Sequence, residues 1–142
     1  MPDATSAFRV GAWAWLVTGA GHLALAAMLV LRPANPATAP VVAAMRDTEF
    51  GLGGLGRSIH DLNTGMSLVM GVALVFAGLV CVLVARAAPG LIERSRSLSG
   101  SALGASVVAF GLSVWLLPLP PIVLFGVAVV AFGWAAVRRP LT

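Results

Sequence analysis

Four long hydrophobic runs, at residues 10–31, 58–85, 99–117 and 122–137, constrain this chain more than any other feature of its sequence. The first holds 22 residues with a single histidine and no charge, bracketed by Arg9 and Arg32. At about 1.5 Å of rise per residue such a helix covers the ~30 Å hydrocarbon core of a bilayer. Composition agrees, with 59% hydrophobic residues, 10% charged residues and a mean hydropathy of +0.98 over 142 residues. A soluble domain of this size buries only about 70% of the surface its unfolded chain exposes, so lipid must cover the rest. The expectation is an all-α polytopic membrane protein, one domain built as a four-transmembrane-helix bundle. The first run exceeds the apolar core of a secretory leader and is followed by Arg32-Pro33 rather than a small-residue cleavage site, so it reads as a retained span.

The connections carry the polar residues. Residues 32–57 begin Pro-rich (Pro33, Pro36, Pro40), then 41–50 reads as a short amphipathic helix on the membrane surface. Val41, Val42, Met45 and Phe50 are its apolar anchors, and Arg46, Asp47 and Glu49 its wet side. Glycines at 51, 53, 54 and 56 predict a flexible joint into the second span. Residues 87–98 form a basic loop, and Pro118, Pro120 and Pro121 force a tight turn before the fourth span. Arg9, Arg86, Arg94, Arg96, Arg138 and Arg139 fall on one side of the bundle, against Arg32, Arg46 and Arg57 on the other. That asymmetry predicts both termini in the cytoplasm of a multi-pass protein. All nine basic residues are Arg, with no Lys and no Tyr, which reads as GC-rich coding and points to a bacterial inner membrane.

Several function classes are excluded by residue type. The net charge of +4 comes from arginines scattered at span ends, which is an anchoring pattern and not a nucleic-acid surface. Cys81 is the single cysteine, so no intrachain disulfide or cysteine metal cluster can form. Small residues predict close helix packing within a bundle or a homo-oligomer: Gly100 and Gly104 form a GxxxG pair, and Gly71/Gly78 and Gly126/Gly133 recur at seven.

Function is carried by the polar stretch entering span two, Arg57-Ser58-Ile59-His60-Asp61-Leu62-Asn63-Thr64. Ionisable groups at that depth are costly in lipid and tend to face protein, water or ligand. On a helix, His60, Asn63 or Thr64, and Ser67 share one face, and Arg57 and Asp61 stand at i, i+4. His22 lies about 14 Å from the end of span one, level with Ser67 or Asn63, while His60 lies roughly 10 Å nearer the surface. Gly19 and Gly21 beside His22 leave room for a neighbouring helix or a ligand. The leading expectation is an outward-opening pocket for a lipophilic small molecule. His22, Asn63, Thr64, Ser67 and Arg57 would bind it, and His60 and Asp61 would serve as general acid and base for an isomerase, cyclase or hydrolase. Haem between the two histidines is disfavoured by their offset in depth, and two His with one Asp do not make a metal site. No cofactor is therefore expected. Two alternatives remain open, a small transport subunit working as an oligomer and a non-catalytic accessory subunit in which these groups are structural.

Three segments together, Gly21-His22-Leu23, Arg57 through Gly65, and Pro120-Pro121-Ile122-Val123-Leu124-Phe125, carry a family likeness. On them the chain resembles a family of small bacterial four-span membrane proteins and, more distantly, is similar to DoxX-like proteins. The resemblance covers nearly the whole chain and implies a four-helix plan. The DoxX-like similarity implies a redox-associated membrane role, for which this chain lacks a cysteine pair, and no catalytic residue transfers from it.

Overall fold

The structure, a computed structural model, describes residues 3–32, 35–52 and 55–137. Pro33, Gly53, Gly54, Arg138 and Arg139 from the sequence reading lie outside the described residues. The elements run α1 (Ala4–Leu31), α2 (Ala39–Asp47), β1 (Glu49–Leu52), β2 (Leu55–Ser58), α3 (Ile59–Ala87), α4 (Pro89–Arg94), α5 (Arg96–Leu116) and α6 (Leu119–Val137). Four of these, α1, α3, α5 and α6, are long and apolar enough to cross a membrane. The all-α four-span bundle is therefore what the chain forms, and it is a multi-pass membrane protein.

Local chemistry sets the helix ends. Asp3 caps α1: its Oδ1 accepts from the Ser6 backbone N–H at 2.6 Å, which holds the Asp3 carboxyl below its ordinary range. This cap starts α1 six residues earlier than the apolar run does. Pro89, Pro40, Pro120 and Pro121 all fall in first helical turns, where the missing N–H has no intrahelical partner to lose. Leu117, preceding Pro118, takes an extended backbone (φ −119°, ψ 159°) and ends α5. The turn between the last two spans is therefore only Leu117-Pro118, and α6 opens ahead of the proline pair. Within the expected basic loop, residues 89–94 form α4, whose Ile92 is buried against Ala7, Phe8 and Ala85.

One expectation is overturned in the first connection. β1 and β2 pair antiparallel, Glu49 with Ser58 and Phe50 with Arg57, and place Gly51 and Gly56 in strands where a flexible joint is predicted. The Ile59 N–H donates to the Thr48 carbonyl at 3.0 Å and locks this hairpin to the start of α3. Cross-strand hydrogen bonds give the glycine-rich strands a register that composition alone does not reveal.

In the bundle α1 is central. It packs on α3 along one side and on α6 along the other, and α5 packs on α6. The α1–α3 seam is glycine-made. A Cβ on Gly19 would stand 2.6 Å from the Val75 backbone nitrogen, and one on Gly78 would stand 2.6 Å from that of Leu16. On the α1–α6 side, Phe8 and Phe132 meet edge to face (centroids 5.0 Å), and Trp15 and Phe125 do the same at 5.8 Å. Phe110 and Leu103 of α5 lie over Gly126 and Gly133 of α6. Of the predicted small-residue positions, Gly71, Gly78, Gly126 and Gly133 are thus used inside the bundle. Gly100 and Gly104 face open space.

Burial is uneven along the spans. In α1 the buried positions are Thr5 to Gly19, and in α3 they are Gly71 to Ala85. The two helices therefore pack tightly at the Arg9 end and hold their hairpin ends, residues 20–31 and 59–70, more openly. The polar stretch singled out in the sequence sits in this open half.

Candidate functional site

The hairpin delivers the chain to α3, and Ser58 starts the helix. Its Oγ accepts from the Asp61 backbone N–H at 3.1 Å, leaving Asp61 in the first turn. The Ser58-x-x-Asp61 spacing is a sequence-level signature of a helix N-terminus, and a carboxylate there complements the helix dipole. Ser58→Ala is expected to cost about 1 kcal/mol of stability by loss of this cap. Denaturant titration followed by tryptophan fluorescence reads it, and an unchanged midpoint would remove Ser58 from the argument.

Because the helix begins after Ser58, Arg57 belongs to β2 and the expected helical i, i+4 pairing with Asp61 does not operate. Among the described residues the ion pair found there is His60 Nδ1 to Asp61 Oδ1, at 3.8 Å. That is within salt-bridge range but beyond a hydrogen bond. Both groups reach water, with side-chain exposures of 33% and 61%.

Helical geometry then divides the constellation between two faces of α3. One face, turned toward α1, holds His60, Thr64 and Ser67 above Gly71 and Gly78. Here Ser67 Oγ and His22 Nε2 are hydrogen-bonded at 2.7 Å, within the common depth expected for His22 and Ser67 or Asn63. Gly71 makes this contact possible: a Cβ there would stand 2.6 Å from the Leu23 side chain and 3.3 Å from the His22 ring. His60, Thr64, Ser67 and His22 are all half-buried, and Asn63, flanking them, is exposed.

The other face carries a groove of about 560 Å³, lined among the described residues by Arg57, Asp61, Leu62, Gly65, Met66, Val69 and Met70. Its two charged groups stand at the hairpin end, and the wall below them is apolar. Gly65 leaves the groove unobstructed, with open space where a Cβ would be. The predicted ligand set is thus separated: Arg57 and Asp61 go to the groove, while His22 and Ser67 meet on the α1 side. A single funnel lined by all of them is not what the fold produces, since Asp61 and Ser67, six apart, stand about 120° from each other around α3 and Arg57 belongs to β2.

Sequence reading overlooked a second polar column. Ser99, Ser106 and Ser113 recur at seven along α5 and are all buried. Ser106 Oγ accepts from Trp15 Nε1 at 2.9 Å and donates to the Ala102 carbonyl, which ties α5 to α1. The heptad spacing of three serines in an apolar helix was the available signal. At the opposite end, Arg9 donates to the Ala85 carbonyl at 3.1 Å, a cation placed at the C-terminus of α3. Among the described residues no three His, Cys, Asp or Glu side chains gather closely enough to hold a metal ion.

Compared with known proteins, the chain matches no family model, no curated protein and no solved structure.

Proposed function

We propose that this protein recognises a membrane amphiphile with a zwitterionic head, such as an amine-bearing phospholipid, in the groove of α3. The observation that carries this reading is the groove's polarity: Arg57 and Asp61 at one end, and Leu62, Gly65, Met66, Val69 and Met70 below. Arg57 suits a phosphate and Asp61 an ammonium, while the apolar wall suits an acyl chain. Half-exposed His60, 3.8 Å from Asp61, stands on the neighbouring face and does not line the groove. The gap between His60 and Asp61 favours recognition over proton transfer by that pair.

The arginine asymmetry supports an orientation with both termini in the cytoplasm of a bacterial inner membrane, which puts the groove mouth at the outer surface. Arg9, Arg86, Arg94 and Arg96 lie at one end of the bundle, and Arg32, Arg46 and Arg57 at the other. An accessory-subunit reading is favoured by one feature, the open glycine face of α5 at Gly100, Gly104 and Gly111, which suits a second copy or another helix.

Native mass spectrometry of the protein in phospholipid micelles tests the groove. Wild type is expected to retain one phospholipid, and Arg57→Ala to weaken retention about tenfold, the loss of one charged contact of about 1.4 kcal/mol. Gly65→Leu is expected to abolish retention, since its side chain enters the groove without meeting protein. Equal retention by all three proteins would overturn the assignment.

A further inference from the structure

We propose that Ser67 and His22 form a nucleophile–base dyad that cleaves a carboxylic ester of a membrane lipid. The proposal does not rest on the groove, which lies on the opposite face of α3.

Ser67 differs from four other hydroxyls of the spans. Thr18, Ser101, Ser106 and Ser113 each donate to the backbone carbonyl four residues earlier, the ordinary resting state of a helical hydroxyl. Ser67 instead lies against an imidazole nitrogen of another helix, at 2.7 Å. With Nδ1 carrying the ring proton, Nε2 accepts from the Ser67 O–H, which is the geometry that activates a serine. Neither partner is sealed in the core, and Gly21, beside His22, leaves open space where a side chain would block approach. The inter-helix distance is imposed by Gly19 and Gly71, so the pair is held by backbone packing and not by side-chain flexibility.

Position within a membrane span favours an ester carried by a lipid. A helix of 29 residues spans about 44 Å and exceeds the ~30 Å hydrocarbon core by about 14 Å, or about 7 Å at each end. Ser67 lies eight residues after Ile59, about 12 Å along the helix. With α3 centred on the core, Ser67 stands about 5 Å inside the apolar boundary, so an ester carbonyl at that boundary dips about one helical turn to reach it. Asn63, one turn nearer the hairpin end and exposed, offers a side-chain N–H to a developing oxyanion. Backbone N–H groups inside the helix are committed to helical bonds and cannot serve.

The chemistry balances with water as co-reactant. Ser67 Oγ bonds to the ester carbonyl carbon while His22 Nε2 takes its proton. The ester C–O bond then breaks and His22 returns the proton to the departing alcohol. Water, entering past half-exposed His60 and Thr64, adds to the acyl carbon as His22 takes its proton. Ser67 leaves, regains that proton, and a fatty acid is released.

A fluorophosphonate probe tests the dyad on the full chain in micelles, with the adduct located by peptide mass spectrometry. Wild type is expected to be labelled at Ser67 with loss of fluoride. Ser67→Ala is expected to show no adduct, and His22→Asn to label at least 100-fold more slowly. Circular dichroism and elution volume establish that both variants are folded. A hydrogen bond with only a structural role leaves folded wild type unlabelled, or leaves labelling equally fast in folded His22→Asn. Either result overturns the proposal.

Discussion

Alanine at Gly19 or Gly78 is expected to destabilise the bundle by about 2 kcal/mol. The added methyl meets backbone on the facing helix: the Val75 nitrogen and Gly71 carbonyl oxygen for Gly19, and the Leu16 nitrogen and Cα for Gly78. Backbone cannot rotate out of the way as a side-chain tip can, so α1 and α3 must separate. Overpacking of this kind costs typically 1–3 kcal/mol, here toward the upper end, and the better helix propensity of alanine offsets about 1 kcal/mol of it. The same substitution at Gly100 or Gly104 meets open space within the chain and should be neutral or stabilising by up to about 1 kcal/mol. Unfolding in sodium dodecyl sulfate, followed by tryptophan fluorescence, compares the four variants. Identical midpoints for Gly19→Ala and Gly100→Ala would mean that the α1–α3 approach does not limit stability. Separating α1 from α3 also lengthens the His22–Ser67 contact, so Gly19→Ala should slow any labelling of Ser67.

Phe132→Ala is expected to cost about 3 kcal/mol, the low end of the range for deleting a buried phenyl ring. Phe132 is 1% exposed and fills the space over Gly11, where a Cβ would stand 2.8 Å from its ring. Phe8 meets it edge to face on the other side. Truncation leaves a void that Gly11 has no side chain to fill. The low end applies because apolar surface gains nothing by leaving lipid for protein, so the cost is lost packing and not transfer free energy. Phe132→Leu should recover about half of the loss. The dodecyl sulfate titration reads both variants, and a cost below about 1 kcal/mol for alanine would show that α6 re-docks on α1 without the ring.

The sequence reading and the structure diverge at identifiable places. The span count was legible because apolar run length against bilayer thickness is a one-dimensional test that tertiary packing does not alter. That His22 lies level with Ser67 or Asn63 was legible for a similar reason. Consecutive antiparallel spans share one depth axis, and a constant rise per residue converts sequence distance into height. The pairing of 49–52 with 55–58 was hidden because these strands are glycine-rich and carry no alternating pattern, leaving cross-strand hydrogen bonds as their only specification. The helical i, i+4 relation of Arg57 and Asp61 failed on a single boundary: with Ser58 as cap, the helix begins at Ile59, two residues too late for Arg57 to join it. The position of α1 at the centre of the bundle was equally unreadable, since each of the four spans is apolar over most of its surface.

By itself, then, the sequence determined that the chain crosses a bilayer four times and which polar groups share a depth, because hydropathy and helical rise act along one axis. Only the tertiary structure decided which face of α3 meets α1. The cap at Ser58 sets the phase of α3, and the glycine seam at Gly19, Gly71 and Gly78 chooses which side of it α1 covers. Those two choices turn Ser67 toward His22 and leave Arg57 and Asp61 on the opposite face, facing the groove. Rotation about a helix axis is invisible to hydropathy, and close packing against a neighbour resolves it.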